Sequence, residues 1–278
     1  MSFNSVNTNA QAVFALQSLN KTNAELAGVQ KRVSTGFRVA DARDDGGAYA
    51  VAQSVRSDVA GITAVNEQLG GAKGLLQTTF AALGRVSDTM KQARAALTRL
   101  ADSSLSTEQF NQYKAQYTAL KTQMDGFLDD AKYNGRSLLS ASAASATNTD
   151  NVKTIQNEEG TEFKILAVEK ATLKLDAAPA DAAAAVTALG ATGDYTTTET
   201  ALSSALNQFG TDMQYVENQI GFNSDKIDAL NGGVGALVDA DLAKESAKLQ
   251  ALQTRQQLGI QTLGLANQGP QVLLSLFR

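Results

Sequence analysis

Near the start of the chain the apolar positions are Val13, Leu16, Leu19, Leu26, Val29 and Val33, with Asn23 filling one place on the stripe. Steps of three, four and seven describe an amphipathic helix with a coiled-coil-like seam. Asn7, Thr8 or Asn9 supplies its N-cap, and Ser34-Thr35-Gly36 ends it. A polar segment from Val39 to Gly47 follows, in which Asp44 or Asp45 caps a second helix over 46–100. That helix has no proline. Gly61, Gly70, Gly71, Gly74 and Gly84 interrupt it, and Gly70-Gly71 marks a candidate bend. If continuous, it is roughly 80 Å long at helical rise, which predicts a rod. Ser106 or Thr107 caps a third helix, whose stripe is Phe110, Tyr113, Tyr117, Leu120, Met124 and Leu128.

Lys132 to Arg136 contains Asn134-Gly135, a tight-turn signal, and residues 140–150 are a small-polar loop. The period then changes. Phe163, Ile165 and Ala167 alternate, as do Thr172, Lys174 and Asp176 against Leu173 and Leu175, which predicts short, hairpin-paired strands. Pro179 and the Ala-rich stretch 182–191 close this insert, with room for a short helix. Thr197-Thr198-Glu199 opens a long helix carrying Leu202, Leu206, Phe209, Met213, Val216, Ile220, Ile227 and Leu230, expected to end at Asn231-Gly232-Gly233. A last helix carries Val234, Leu237, Val238, Leu242, Leu249, Leu252, Ile260 and Leu263, and Gly269-Pro270 is expected to break it before the apolar tail Val272 to Phe277. The fold class is therefore mainly α: an elongated multi-helix rod, with a discontinuous coiled-coil domain from the N- and C-terminal ends and a small β-hairpin insert.

Composition narrows the function. The chain has 43% hydrophobic residues but only 6% aromatic ones and no Trp, so helices approach closely without the large side chains usual in a compact core. Net charge is −4 with the signs interspersed, which points to neither a nucleic acid nor an anionic membrane. No apolar run is long enough for membrane insertion. The start of the sequence has no basic and no apolar signal region, so an ordinary cleaved secretory signal is not expected. His and Cys are both absent, which removes the commonest zinc, thiol and imidazole sites. Asp44-Asp45 and Asp129-Asp130 are adjacent carboxylates that do not share a helix face. Gly70 to Gly74 lacks the spacing of a phosphate-binding loop. No enzyme activity, cofactor or metal is expected.

The terminal stripes are sparse in large side chains, and an isolated amphipathic helix usually needs a partner. Such stripes most often bury a monomer's own core, and the simplest internal partner for each end is the other. Leu258, Leu265 and the tail to Phe277 would still leave apolar surface over. Surface of that kind usually marks an interaction site, and non-identical faces can propagate an open helical polymer.

The residues at both ends resemble those of bacterial flagellins, in particular the short alphaproteobacterial kind. The resemblance rests on Asn7-Thr8-Asn9, on Val33 to Val39, on Ala42-Arg43-Asp44-Asp45 and on Ala48 to Ala52. It continues at Asn134-Gly135 with Leu138-Leu139, at Ala240 to Leu249, at Gln256 to Gly259, at Ala266-Asn267-Gln268 and at Leu273 to Phe277. It implies a structural subunit that polymerises into the extracellular flagellar filament for motility, secreted by type III export. The implied partners are other copies of itself, paralogous flagellins, an export chaperone, and cap and hook-junction proteins. It also implies an inner domain from residues 1–35 with 236–278, an outer rod from 36–138 with 192–235, and a reduced variable insert at 139–191. The expected polymerisation and inter-helix seam is Val13, Leu16, Leu26, Val29, Val33, Leu242, Leu249, Leu252, Leu263, Leu273, Leu276 and Phe277. The expected inter-domain turns use Gly36, Asp44, Asp45, Gly232 and Gly233. Where many flagellins carry a basic stretch read by an innate receptor, this chain keeps Arg94 but has Gln92 and Ala95, which argues against strong activation. A hook–filament junction protein and an extracellular stalk or adhesin module are the alternatives.

Overall fold

The computed structural model describes residues 9–140 and 151–275, with 269–275 described through the backbone alone. The described chain is mainly helical: α1 (Ala10–Thr35), α2 (Gly46–Leu100), α3 (Thr107–Asp130), α4 (Ala182–Leu189), α5 (Asp194–Val238) and α6 (Leu242–Ser275). Between α3 and α4 lie the short strands β1 (Leu139–Ser140), β2 (Val152–Ile155), β3 (Glu162–Ile165) and β4 (Val168–Glu169). Two compact units result, residues 1–57 with 229–278 and residues 58–228, with their boundaries inside α2 and α5.

The 58–228 unit holds the large core. Along α2 the buried positions Ile62, Val65, Leu69, Ala72, Leu76, Thr79, Leu83, Val86, Met90, Ala93, Leu97 and Leu100 step by three and four without a break. That repeat keeps one stripe facing its neighbours. Tyr117, Met124 and Leu128 from α3 and Leu202, Ala205, Phe209 and Val216 from α5 join the same core. Thr79 fits because its hydroxyl donates to the Leu75 carbonyl within its own helix at 2.9 Å. A capping box starts α3: Ser106 accepts from the Gln109 N–H while the Gln109 side chain accepts from the Ser106 N–H.

β2 and β3 form an antiparallel hairpin in the register Val152↔Ile165 and Thr154↔Phe163, and β1 pairs with β4 in parallel. The hairpin is tied to α5 mainly by polar side chains. Gln219 Nε2 donates to the Gln156 carbonyl at 3.1 Å, Lys226 pairs with Glu158, and Phe163 stacks on Tyr215 with ring centroids 4.3 Å apart.

Several expectations need correction. The alternation at 172–176 is not a strand: Lys170–Leu173 is a 3₁₀ turn, in which the Thr172 hydroxyl bonds the Glu169 carbonyl at 2.8 Å. Leu173 and Leu175 are indeed both buried, so the period reports burial and not sheet pairing. Gly232 and Gly233 are not a turn, because α5 continues through them to Val238. Two helical glycines cost about 2 kcal/mol together. Burial of Val234 and Val238 against Val39 and Ala52 offsets this and carries the helix on. The reversal falls instead at Asp239 to Asp241, and Asp241 caps α6 by accepting from the Lys244 N–H at 3.1 Å. The helix α6 also passes through Pro270 without breaking. Asn23 is not on the buried stripe of α1; Thr22 is, with its hydroxyl satisfied by the Ser18 carbonyl at 3.0 Å. Most of the 140–150 loop lies outside the described residues.

Candidate functional site: the paired terminal helices

The 1–57/229–278 unit is built on α1 lying antiparallel to α6. Contacts run in opposite chain directions: Arg32 meets Glu245, Asn23 meets Gln256 and Asn9 meets Ala266. Leu26, Val29 and Leu252 bury one another, with Val33 and Leu249 half-buried beside them. Gly259 gives room for Leu19, whose Cδ1 lies 3.2 Å from where a Cβ would stand.

Polar groups fix the register at both ends of this seam. Arg32 Nε donates to Glu245 Oε2 at 3.0 Å and Lys248 Nζ donates to Oε1 at 3.2 Å. Burial alone would push the Glu245 carboxyl up, but the hydrogen bonds from Arg32 and Lys248 outweigh it and hold the carboxyl below its ordinary range. At the far end, Asn9 Oδ1 caps α1 by accepting from the Ala12 N–H at 3.2 Å, while its Nδ2 donates to the Ala266 carbonyl at 2.6 Å. That carbonyl is the one Pro270 cannot serve, since proline has no N–H to donate four residues back. Asn9 thus supplies a missing helical donor, which is the physical reason α6 tolerates Pro270.

The turn after α1 locks onto the end of α5. Gly36 takes the left-handed conformation (φ 75°) and closes α1 through its N–H to the Arg32 carbonyl. The N–H groups of Arg38 and Val39 donate to the Val238 carbonyl at 2.7 and 3.2 Å, and the Ala240 N–H donates to the Gly36 carbonyl at 2.8 Å. These bonds satisfy carbonyls that a helix end leaves open. Asp44 accepts from Lys31 and from the Ala40 and Asp41 N–H groups, and Asp45 accepts from the Ala48 N–H at the start of α2. The hydrogen bond from Lys31, then those from backbone N–H groups, hold the Asp41 and Asp44 carboxyls below the usual range.

The expected seam therefore separates into three sets. Leu26, Val29 and Leu252 are brought together, with Val33 and Leu249 beside them. Val13 (62% exposed), Leu16 and Leu242 face solvent, and Leu263 is half-buried. The side chain of Leu273, and Leu276 and Phe277, lie outside the described residues. Also exposed are Phe14 (70%), which the α1 stripe did not single out, and on α6 Ile260, from that helix's apolar set, with Leu258 and Leu265 (67%). The signal for Phe14 was its size beside a polar flank. Asn9, Arg32 and Glu245 carried no signal beyond the cap at Asn9, because their partners lie at the other end of the chain.

The fold defines the class first: a mainly helical structural chain whose two ends fold against each other. Residues 6–144 match the bacterial flagellin N-terminal helical region, and residues 174–277 match the bacterial flagellin C-terminal helical region. The chain is 38% identical to flagellin FljK of Caulobacter vibrioides over 285 residues, covering 100% of both. Flagellin FljM of the same organism is 37% identical with the same coverage, and a Brucella melitensis flagellin is 33% identical over 99% of both chains. The chain belongs to the bacterial flagellin family, whose members are structural and not enzymatic, and is a subunit that polymerises into the flagellar filament for motility. Caulobacter vibrioides holds several such flagellins, FljK, FljM, FljN and FljO among those similar to this chain. Among the described residues no helix is long and apolar enough to cross a membrane.

Proposed function

We propose that the paired terminal helices are the polymerising element of this flagellin, and that their exposed apolar residues are its intersubunit contacts. The observation that carries this is the position of Val13, Phe14 and Leu16 on α1 and of Leu258, Ile260 and Leu265 on α6. The antiparallel pairing puts both groups along the same stretch of the seam, between the Asn9–Ala266 and Asn23–Gln256 contacts. Exposed apolar side chains gathered on one stretch of a helix pair are a usual mark of an interaction site. Residues 1–35 with 236–278 are the inner, channel-lining domain on this reading. Residues 36–138 with 192–235 form the outer rod, and 139–191 are a reduced variable portion. The proposal also includes Leu273, Leu276 and Phe277, whose side chains lie outside the described residues. Unfolded delivery through a type III channel with an export chaperone, and growth beneath a cap beyond hook-junction proteins, complete the assignment.

The test is seeded growth of purified full-length protein, followed by sedimentation and electron microscopy. Leu265→Asp is expected to keep the helical content of the 58–228 unit and to abolish elongation. Filaments of normal length and yield from that variant would refute the assignment.

A further inference from the structure

A cleft of about 470 Å³ is lined entirely by residues of the 58–228 unit and plays no part in the assembly reading. Its volume falls in the range of small-ligand sites, roughly 300–1,000 Å³. Ala177, Pro179, Ala184 and Ala188 give it apolar walls, and Asp176, Asp194 and Tyr117 supply its polar groups. Three features give the cleft a sign. The carboxylates of Asp176 and Asp194 have no ion-pair partner among the described residues, and no Lys or Arg lines the cleft. The nearby cations Lys121 and Lys174 are both committed to Asp125. The C-terminal end of α4, at Thr187 and Ala188, adds the negative end of a helix dipole.

The second, independent observation is Tyr117. It is 2% exposed, yet among the described residues its hydroxyl has no hydrogen-bond partner, and the residue lines the cleft. The residue is buried but its hydroxyl is not sealed from solvent, so its free bonding capacity opens onto the cleft that Tyr117 lines. Burial first, then the charges of Asp194 and Asp176, push its ionisation upward, so the hydroxyl stays neutral beside both carboxylates. Asp194 is held in place because its Oδ2 accepts from the Asp176 N–H at 2.7 Å, which leaves its other oxygen open. Gly193 closes the wall: a Cβ there would stand 2.2 Å from the Ala188 carbonyl oxygen, so only glycine permits this approach of α5 to α4.

We propose that this cleft binds an alkylammonium group, its charge between Asp176, Asp194 and the Tyr117 hydroxyl and its methylenes against the alanine and proline walls. A hydrated divalent cation fits less well, since calcium takes about six to eight oxygens and this cleft offers few on apolar walls. The ammonium has two sources, a free alkylamine or a lysine side chain of a second copy in the filament.

The closing experiment uses full-length monomer carrying ¹³C-labelled tyrosine, titrated with n-butylammonium chloride against sodium chloride of equal ionic strength. A saturable shift of the Tyr117 resonance, identified by its loss in Tyr117→Phe, is expected with n-butylammonium alone. Asp194→Asn is expected to weaken the apparent affinity at least tenfold, and Asp176→Asn, at an exposed carboxylate, gives the same reading should Asp194→Asn fold poorly. No saturable shift, an equal shift with sodium, or unchanged affinity in both variants overturns the proposal. Carbodiimide cross-linking of assembled filaments then separates the sources. Asp194 or Asp176 joined to a lysine of another copy identifies the neighbouring subunit, and monomer binding without that product identifies a free alkylamine. A cross-link without monomer binding overturns the cleft as the recognising unit.

Discussion

Replacing Asn9 with Ala removes two bonds at once, and the structure allows each to be priced. The first is the N-cap to the Ala12 N–H, worth about 1 kcal/mol when Asn is replaced by Ala. The second is the 2.6 Å bond from Nδ2 to the Ala266 carbonyl. Pro270 cannot supply the helical bond to that carbonyl, so the loss is not made good within α6. The site is part-buried, so water replaces the amide only in part, and the net cost falls near about 1 kcal/mol. The sum of about 2 kcal/mol corresponds to roughly a 30-fold rise in local opening of the α1–α6 pair.

Amide hydrogen exchange across the first turn of α1 and around residue 266 of α6, measured in assembled filaments, reads this directly. Two companion variants separate the contributions. Asn9→Asp keeps the cap acceptor but cannot donate, so it should lose only the bond to Ala266. Pro270→Ala gives the Ala266 carbonyl its own helical donor, and in that background Asn9→Ala should cost only the cap, about 1 kcal/mol or roughly fivefold. The expected coupling is therefore about 1 kcal/mol. Equal costs of Asn9→Ala in both backgrounds would refute the reasoning that Asn9 stands in for the missing proline donor.

Gly193→Ala places a Cβ 2.2 and 2.4 Å from the Ala188 and Thr187 carbonyl oxygens, so it should destabilise the 58–228 unit by about 3 kcal/mol; an unchanged melting temperature would contradict this. Leu252→Asp buries a charge beside Leu26 and Val29 and should stop both α1–α6 pairing and filament growth. Leu252→Met, which conserves volume, should cost less than about 1.5 kcal/mol, and wild-type growth of the Asp variant would count against the seam. The Glu245 carboxyl is held below its ordinary value of 4.5, so its contribution is present above that pH and is lost as pH falls through the depressed value. Exchange protection of α1 should therefore fall in that acid window more in the wild type than in Glu245→Gln, and parallel profiles would remove Glu245 from the acid response.

Much of this architecture was legible in the sequence because local rules decide it. Asn9, Gly36, Asp45 and Ser106 are helix boundaries that side-chain or backbone chemistry sets within a few residues. The Asn134-Gly135 turn, held by reciprocal hydrogen bonds between Tyr133 and Arg136, is likewise local. The misses share a cause. Gly232-Gly233 and Pro270 are breakers whose local cost is overridden by contacts from distant segments, Val39 and Ala52 in one case and Asn9 in the other. The alternation ending at Asp176 fitted a strand, but among the described residues no strand pairs with it, and Thr172 sits in a 3₁₀ turn instead. For the candidate site, Leu26, Val29 and Leu252 were readable from spacing, whereas Arg32 with Glu245 was not. A lone charge on a helix says nothing about which charge it will meet.

The two units differ in how completely they bury their own apolar surface. In the 58–228 unit, the stripe of α2 from Ile62 to Leu100 is buried at every step. In the terminal unit, the apolar residues buried along the α1–α6 seam, among those described, are Leu26, Val29 and Leu252, while Val13, Phe14, Leu16, Leu258, Ile260 and Leu265 stay exposed. Burying a large apolar side chain completely is worth about 1.5–3 kcal/mol, and these six are roughly half to two-thirds exposed, so their joint burial offers about 5–11 kcal/mol. Fixing one subunit against another costs about 4–15 kcal/mol in lost freedom. Gain and cost are of the same size, so on the proposed assembly one such patch supplies little net affinity by itself, and contacts to several subunits are expected to act together. Phe14 is the largest and most exposed of the set, at 70%. Phe14→Ala gives up about 1.5 kcal/mol of that burial, which raises the critical concentration for polymerisation roughly tenfold. Turbidity and sedimentation across a concentration series measure that threshold. A threshold unchanged in Phe14→Ala, with α1 helicity intact, would mean that the exposed face of α1 contributes nothing to filament growth.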